Sequence, residues 1–165
     1  MKEKILHYTK EIIYFVIFMT LFANALSWYK SQDLNKSSLP LIESKLINNL
    51  DYKPQDDRVT VVHFWATWCP TCELEASNIN AIADKADLIT IAVNSGSDYE
   101  IKEFLDANKL TFNVINDRDA TLAKRFHISA YPTTLIYDRK KNLVFSEVGY
   151  TSTIGVLLRV WWAGL

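Results

Sequence analysis

The chain has 165 residues, 49% of them hydrophobic and 13% aromatic, enough for one domain with a real core and a short appendage. Its net charge is −1 and its basic residues are scattered apart from the run Arg139, Lys140, Lys141, which excludes the electrostatic footprint of a nucleic-acid-binding surface. Two cysteines permit at most one intramolecular disulfide, so a small secreted scaffold held by several bridges is excluded too.

Residues 1–11 carry Lys2, Lys4 and Lys10 and precede an uncharged run over residues 12–29, "IIYFVIFMTLFANALSWY". As a helix rising about 1.5 Å per residue, this run would extend about 27 Å, just enough to cross a bilayer. Nothing in it is amphipathic, which argues against a helix buried in a soluble core. A cleaved signal peptide is the stronger rival, because Ala23, Asn24 and Ala25 form a small-residue cleavage pattern. Hydrophobicity resumes at Leu26 and closes on Trp28, Tyr29 and Lys30, an aromatic belt with a snorkelling cation, and this favours an uncleaved anchor. The lysines ahead of the run predict a cytoplasmic amino terminus and a domain outside the cytoplasm, a bias that Lys30 and Lys36 reduce. Residues 30–40 are polar and read as a tether, leaving residues 41–165 for the folded domain.

Within the domain, residues 41–58 hold a short predicted strand near Leu46 to Leu50 and a loop, "DYKPQDDR". "VTVVHFWA", Val59 to Ala66, is β-branched and aromatic, a strand buried on both faces. From Pro70 to about Ala86, apolar Leu74, Ile79, Ile82 and Ala83 recur at helical spacing. Leu88 to Val93 is a second buried strand. Ser97 and Glu100 predict a capping box for a helix running to about Asn108. "FNVIND" is a short strand or edge, and Asp117 is the expected cap of a two-turn helix to Phe126. Thr133 to Asp138 and Asn142 to Val148 flank the turn "DRKK" as a hairpin. A last helix starts near Ser152 and carries Val156, Leu157, Val160 and Trp161. Strands alternating with helices and closing on an antiparallel hairpin predict an α/β domain with a mixed central sheet flanked by helices.

The two cysteines lie three apart in "FWATWCPTC", residues 64–72. Cys69 falls where a strand has ended and a helix begins, a place that favours the thiolate because unpaired N–H groups and about half a positive charge face it. Such placement lowers a thiol from about 8.5 to roughly 3.5–7.5. Pro70 suits the first helical position, where its missing donor costs nothing. Cys72 is one turn further and more enclosed, so Cys69 is the expected nucleophile and Cys72 the resolving thiol. Cys72 needs a base. His63, on the preceding strand with Val61 and Trp65, and Glu75, one turn after Cys72, are the two candidates. Each has a plainer alternative: a hydrogen-bonded core histidine for His63 and a solvated helix face for Glu75.

"AYPTT", Ala130 to Thr134, sets Pro132 immediately before a buried strand, where a proline belongs at a strand start or in a cis turn. If this segment faces Cys69, its backbone could pair with an extended substrate. Trp68 beside the nucleophile, with Tyr131 and Thr133 beside Pro132, are the candidate substrate-contacting residues.

"VVHFWATWCPTC", the proline before "TTLIYD" and the helix "DATLAKRFHI" together resemble the thioredoxin fold in its membrane-tethered TlpA/ResA/DsbE-like branch. "WCPTCELEASNI", "SWYKSQ" and the tail "GYTSTIGVLLRVWWA" are most similar to the suppressor-for-copper-sensitivity protein D type. The resemblance implies a redox-active Cys69–Cys72 pair, a cis Pro132 and a domain facing the bacterial periplasm or outside on an uncleaved inner-membrane anchor. It implies protein thiol or disulfide substrates, a membrane-borne electron donor as candidate partner, no organic cofactor, and reduction of particular envelope proteins rather than general oxidation. The chain departs from the pattern at His63, where thioredoxins place a buried aspartate, and in lacking the proline that commonly follows the ResA-type glutamate, here Glu75.

Other chemistries fit less well. A structural zinc site wants four ligands, and only His7, His63 and His127 stand beside the cysteines, so no metal is expected. A copper(I) carrier using Cys69 and Cys72 needs fewer ligands and remains the alternative function. Peroxide reduction lacks a proline-and-threonine setting for a lone cysteine. A purely structural disulfide closing so short a loop would remove little chain entropy.

Overall fold

The computed structural model describes residues 10–15, 17–19, 21–22 and 38–165. Its elements are β1 (Thr60–Trp65), α1 (Pro70–Asn80), β2 (Asp87–Val93), α2 (Asp98–Ala107), β3 (Asn113–Asp117), α3 (Thr121–Arg125), β4 (Thr133–Tyr137), β5 (Leu143–Val148) and α4 (Thr153–Ala163). The strands form one sheet in the order β3-β2-β1-β4-β5. β1 pairs in parallel with β2 and β2 with β3, while β4 runs antiparallel to both β1 and β5. This is the mixed α/β sheet expected, with β1 at its centre and buried along its whole length.

Strand alternation sorts the core into two layers. Val61 and Trp65 face α1, α2 and α4, joining Ile79, Ile82, Ile101, Leu105, Val156 and Val160. Val62 and Phe64 face the other way, joining Ile89, Ile91, Leu135 and Tyr137 under α3 and the segment with Ile42, Leu46 and Tyr52. Phe64 meets Phe126 at 5.2 Å between ring centroids, and Trp65 meets Phe104 at 5.1 Å.

The capping prediction for α2 holds in detail. Ser97 and Glu100 make the reciprocal capping box of α2. Asp117 is not itself the N-cap of α3, which is Ala120 at φ 53°, but its carboxylate at the end of β3 still accepts the N–H groups of Leu122 and Ala123 at 3.1 and 2.9 Å, from five and six residues away. Others need correction. No strand forms from Leu46 to Leu50: Lys45 and Leu46 make only isolated bridges, to Asp51 and Ile115. Leu46 N–H bonds the Leu50 carbonyl and Asn49 turns with φ 65°, so the chain folds back before a ladder can extend. α1 ends at Asn80 rather than near Ala86, because the next N–H groups reach three residues back, Ala83 to Asn80 and Lys85 to Ile82, and tighten the chain. Asn80 then spends its Oδ1 on the N–H and hydroxyl of Thr111.

Of the expected anchor, residues 12–15, 17–19 and 21–22 are described; they are helical, with large apolar side chains such as Ile12, Phe15, Phe18 and Leu21 exposed. The remainder of the run, including Ala25, lies outside the described residues, as does most of the tether. Among the described residues no helix is long and apolar enough to cross a membrane. Leu39 already belongs to the domain, its N–H bonding the Lys141 carbonyl at 2.8 Å.

Candidate active site

β1 delivers the chain to the top of the sheet, and Ala66 to Trp68 turn it into α1. Cys69 is the N-cap, extended at φ −98° and ψ 108°, and its sulfur accepts the Cys72 N–H at 3.2 Å. Its carbonyl accepts from Cys72 and Glu73, and Pro70 takes the first helical position. The sulfur therefore sits where a thiolate would meet an N–H donor and the positive end of the helix. Cys69 and Cys72 are joined as a disulfide, with 5.2 Å between their Cα atoms. Cys69 keeps 7% of its surface exposed and Cys72 only 1%, so an incoming sulfur reaches Cys69 first.

Pro132 faces this pair. The Tyr131–Pro132 peptide is cis, and the Tyr131 carbonyl oxygen lies 3.8 Å from the Cys69 sulfur. The Pro132 carbonyl is already occupied, accepting from Gly149 N–H at 2.8 Å, so it is the Tyr131 peptide that borders the sulfur. Trp68 is 59% exposed, donates its indole N–H to the Asn94 carbonyl and meets the Tyr131 ring edge-on at 5.9 Å. The two rings form a wall beside Cys69. Thr133 does not join it: its side chain is buried and its hydroxyl donates to the Ala130 carbonyl at 2.8 Å, because the first residue of β4 must satisfy its polar atom inside the sheet.

The two candidate bases are both buried, in different states. Glu75 lies one turn below Cys72 with no exposed surface. Its Oε1 accepts the Thr151 N–H at 2.9 Å and its Oε2 has no hydrogen-bond partner among the described residues. Burial pushes its carboxyl up to about 8, the Thr151 hydrogen bonds oppose that rise, and the nearby Glu147 adds to it. A solvated helix face is thereby excluded. His63 is the hydrogen-bonded core histidine: its Nδ1 is 2.9 Å from the Thr134 hydroxyl, and burial pushes the imidazole down to about 3. It is neutral at physiological pH.

Sequence reasoning missed the groups that hold these two. Thr134 stands directly across β1 and β4 from His63, and Glu147 stands across β4 and β5 from Thr134. Glu147 pairs with Arg159 of α4 at 2.7 Å, while Asn78 of α1 bonds the Thr151 carbonyl, the Tyr150 hydroxyl and the Thr153 hydroxyl. The loop carrying the Thr151 N–H is thus fixed at both ends and from below. Only strand register reveals Thr134 and Glu147, and Thr151 reaches Glu75 with its backbone N–H as well as its side chain across a separation that no local pattern marks.

Among the described residues, no group of three or more histidine, cysteine, aspartate or glutamate side chains converges as a metal site. The AhpC/TSA family model matches residues 32–146. The chain is 32% identical over 103 residues to sporulation thiol-disulfide oxidoreductase A of Bacillus subtilis, a match covering 58% of this chain and 62% of that protein. It is 27% identical over 136 residues to a thioredoxin-like protein of Haemophilus influenzae, covering 80% of this chain and 78% of the other. The crystal structure of StoA from Bacillus subtilis superposes with a TM-score of 0.63 at 27% identity, covering 76% of this chain and 98% of that one.

Proposed function

The chain belongs to the AhpC/TSA family, and on that premise we propose that it is a membrane-tethered thiol-disulfide oxidoreductase that reduces disulfides of proteins outside the cytoplasm. The observation that carries the reading is the disulfide-bonded pair at the start of α1, with Cys69 keeping a small exposed edge beside Tyr131 and Cys72 shut in one turn from Glu75. The relative named as a thiol-disulfide oxidoreductase supports the same chemistry. The exposed apolar side chains of the described helical residues 12–15, 17–19 and 21–22 support a tether on a bilayer.

In the reduced state Cys69, held anionic by the helix terminus, attacks one sulfur of a substrate disulfide. A mixed disulfide forms and the first substrate thiolate leaves. Glu75 takes the Cys72 proton, and the resulting thiolate attacks the Cys69 sulfur. The Cys69–Cys72 bond closes and the second substrate thiolate departs, so the substrate gains two electrons and the enzyme loses two. Glu75 suits this task because a carboxyl raised to about 8 is ionised in a minority of molecules near neutral pH and, in that form, is basic enough to take the proton of a buried thiol. His63, pushed down to about 3, is a poor acceptor and serves to hold the central strands. A dithiol donor in or at the membrane restores the reduced state. Trp68 and the Tyr131 peptide meet the substrate chain.

Equilibration with glutathione buffers, followed by trapping of partners with Cys72→Ser, tests this. A potential near about −270 mV together with stable mixed disulfides supports reduction; one near about −120 mV assigns oxidation instead. Tight copper(I) retention against a competing chelator, with no thiol cycling, would replace the enzyme by a carrier.

A further inference from the structure

We propose that the end of the domain opposite Cys69 is a membrane-docking surface, where the exposed side of α4 and the cations next to it rest on a bilayer bearing anionic headgroups. The inference rests on the anchored reading above. β1 runs from Arg58 toward Cys69, so its two ends mark two poles of the domain. Cys69, Trp68 and Tyr131 lie at one. The β4–β5 turn with Arg139, the carboxyl end of α4 and the point where Leu39 bonds Lys141 lie at the other.

Five large apolar side chains are exposed along α4 and just past it: Ile154, Leu158, Trp161, Trp162 and Leu165. At about 100° per residue they fall within an arc of roughly 100°, a continuous stripe rather than scattered contacts. Its lower end adjoins a groove of about 490 Å³ lined by Trp161, Arg58, Lys85, Arg139, Asp57 and Leu165. Arg58 is half-buried and bonds Gln55 and the Asp84 carbonyl, while Lys85 and Arg139 are exposed. Three cations and one aspartate therefore line this groove.

A bilayer fits this surface through both its chemistry and its place. Tryptophan favours the headgroup boundary, where its ring meets acyl chains and its N–H meets water. The nine residues between Tyr29 and Leu39 span at most about 32 Å, so the pole at which the chain arrives is the one held nearest the headgroups. Tethering also converts docking into an intramolecular event, so a patch too weak to bind free vesicles can be seated most of the time. With that pole down, β1 carries Cys69 away from the lipid and presents it to proteins in the aqueous space.

The test uses the full chain in nanodiscs of phosphatidylcholine with or without phosphatidylglycerol, containing phospholipids brominated near the headgroup end of the acyl chain. Emission lost by the wild type beyond that lost by Trp161→Phe/Trp162→Phe isolates the two α4 indoles from the other three tryptophans. Docking predicts quenching of that component, stronger with phosphatidylglycerol, and a docking equilibrium weakened about fivefold by each of Lys85→Gln and Arg139→Gln. Amide exchange of the last turn of α4 should slow in parallel. Carbonate extraction separates the two readings. If the chain stays with the bilayer while the component is unquenched, or while α4 is covered by a second copy in a cross-linked dimer, docking is overturned and anchoring stands. If carbonate releases the chain, anchoring falls and docking falls with it.

Discussion

The two faces of the sheet come from the same five strands and bury different chemistry. On the face under α1 and α4, one row across the sheet reads Val114, Thr90, His63, Thr134 and Glu147, four of them polar. On the face under α3, the middle of the strands presents Val62, Phe64, Ile89, Ile91, Ile115, Leu135 and Tyr137, and the buried polar side chains Thr60, Asp87, Asp117 and Thr133 are confined to strand ends, where each has hydrogen-bond partners. Each buried polar group costs free energy unless it is partnered, so a row of them is retained only where something else gains. Here that place is the layer beneath Cys72 and Glu75. The apolar face supplies stability, and the polar face spends some of it to hold a protonatable carboxyl next to a buried thiol.

Truncation on the apolar face should have the largest effect and leave the chemistry alone. Phe64→Ala removes a fully buried ring packed at a tilt against Phe126 and is expected to cost about 3–5 kcal/mol by chemical denaturation, with the exchange rate per folded molecule unchanged. A matching fall in that rate would dissolve the distinction between the faces.

Glu75→Gln should invert the pattern. It is expected to slow disulfide exchange about 100-fold while preserving the fold, since the amide oxygen can still accept from Thr151. In the folded chain Glu75 holds its proton up to about pH 8, whereas the carboxyl is ordinarily lost near 4.5. The native state therefore binds the extra proton between those values, and stability falls as pH rises through them. The slope, at most about 1.4 kcal/mol per pH unit, should vanish in the variant when thermal or urea unfolding is followed against pH.

Thr134→Val keeps the shape of β4 and strips His63 of its hydroxyl partner, for an expected loss of about 1–3 kcal/mol in urea unfolding. His63 stays neutral when folded and protonates near 6.5 when unfolded, so stability drops as pH falls from 6.5 toward about 3 in both proteins. Tyr137→Phe is the smallest and carries the opposite sign. It deletes a buried hydroxyl that has no hydrogen-bond partner among the described residues, and should raise stability by about 1 kcal/mol without altering exchange.

The division between faces was only half visible in the amino-acid order. "VTVVHFWA" announces a central strand and places His63 on the side of Val61 and Trp65, because alternation is a local property. The capping box at Ser97 and Glu100, the cysteine at a helix start and the proline before a strand are equally local. What pairs with His63 depends on the register of β4 against β1, set by contacts 71 residues apart in the chain. The retreat of α1 to Asn80 depends likewise on Thr111, another distant partner. Thr133, read as a substrate contact from its place beside Pro132, turns inward because the sheet claims it first. Glu75 and His63 were both legible as candidates. Their opposite titration follows from burial and partners that only the folded chain assembles.

One of the donors that steady Glu75 belongs to the main chain at position 151, and this gives the device a partial tolerance. Nineteen of the twenty coded residues carry that same N–H, so exchanging the buried side chain there would forfeit its own hydrogen bond and fit while the main-chain tie to the proton-handling group beneath stays. Proline alone lacks it, and a lineage that accepted proline at this position would surrender the tie in a single step.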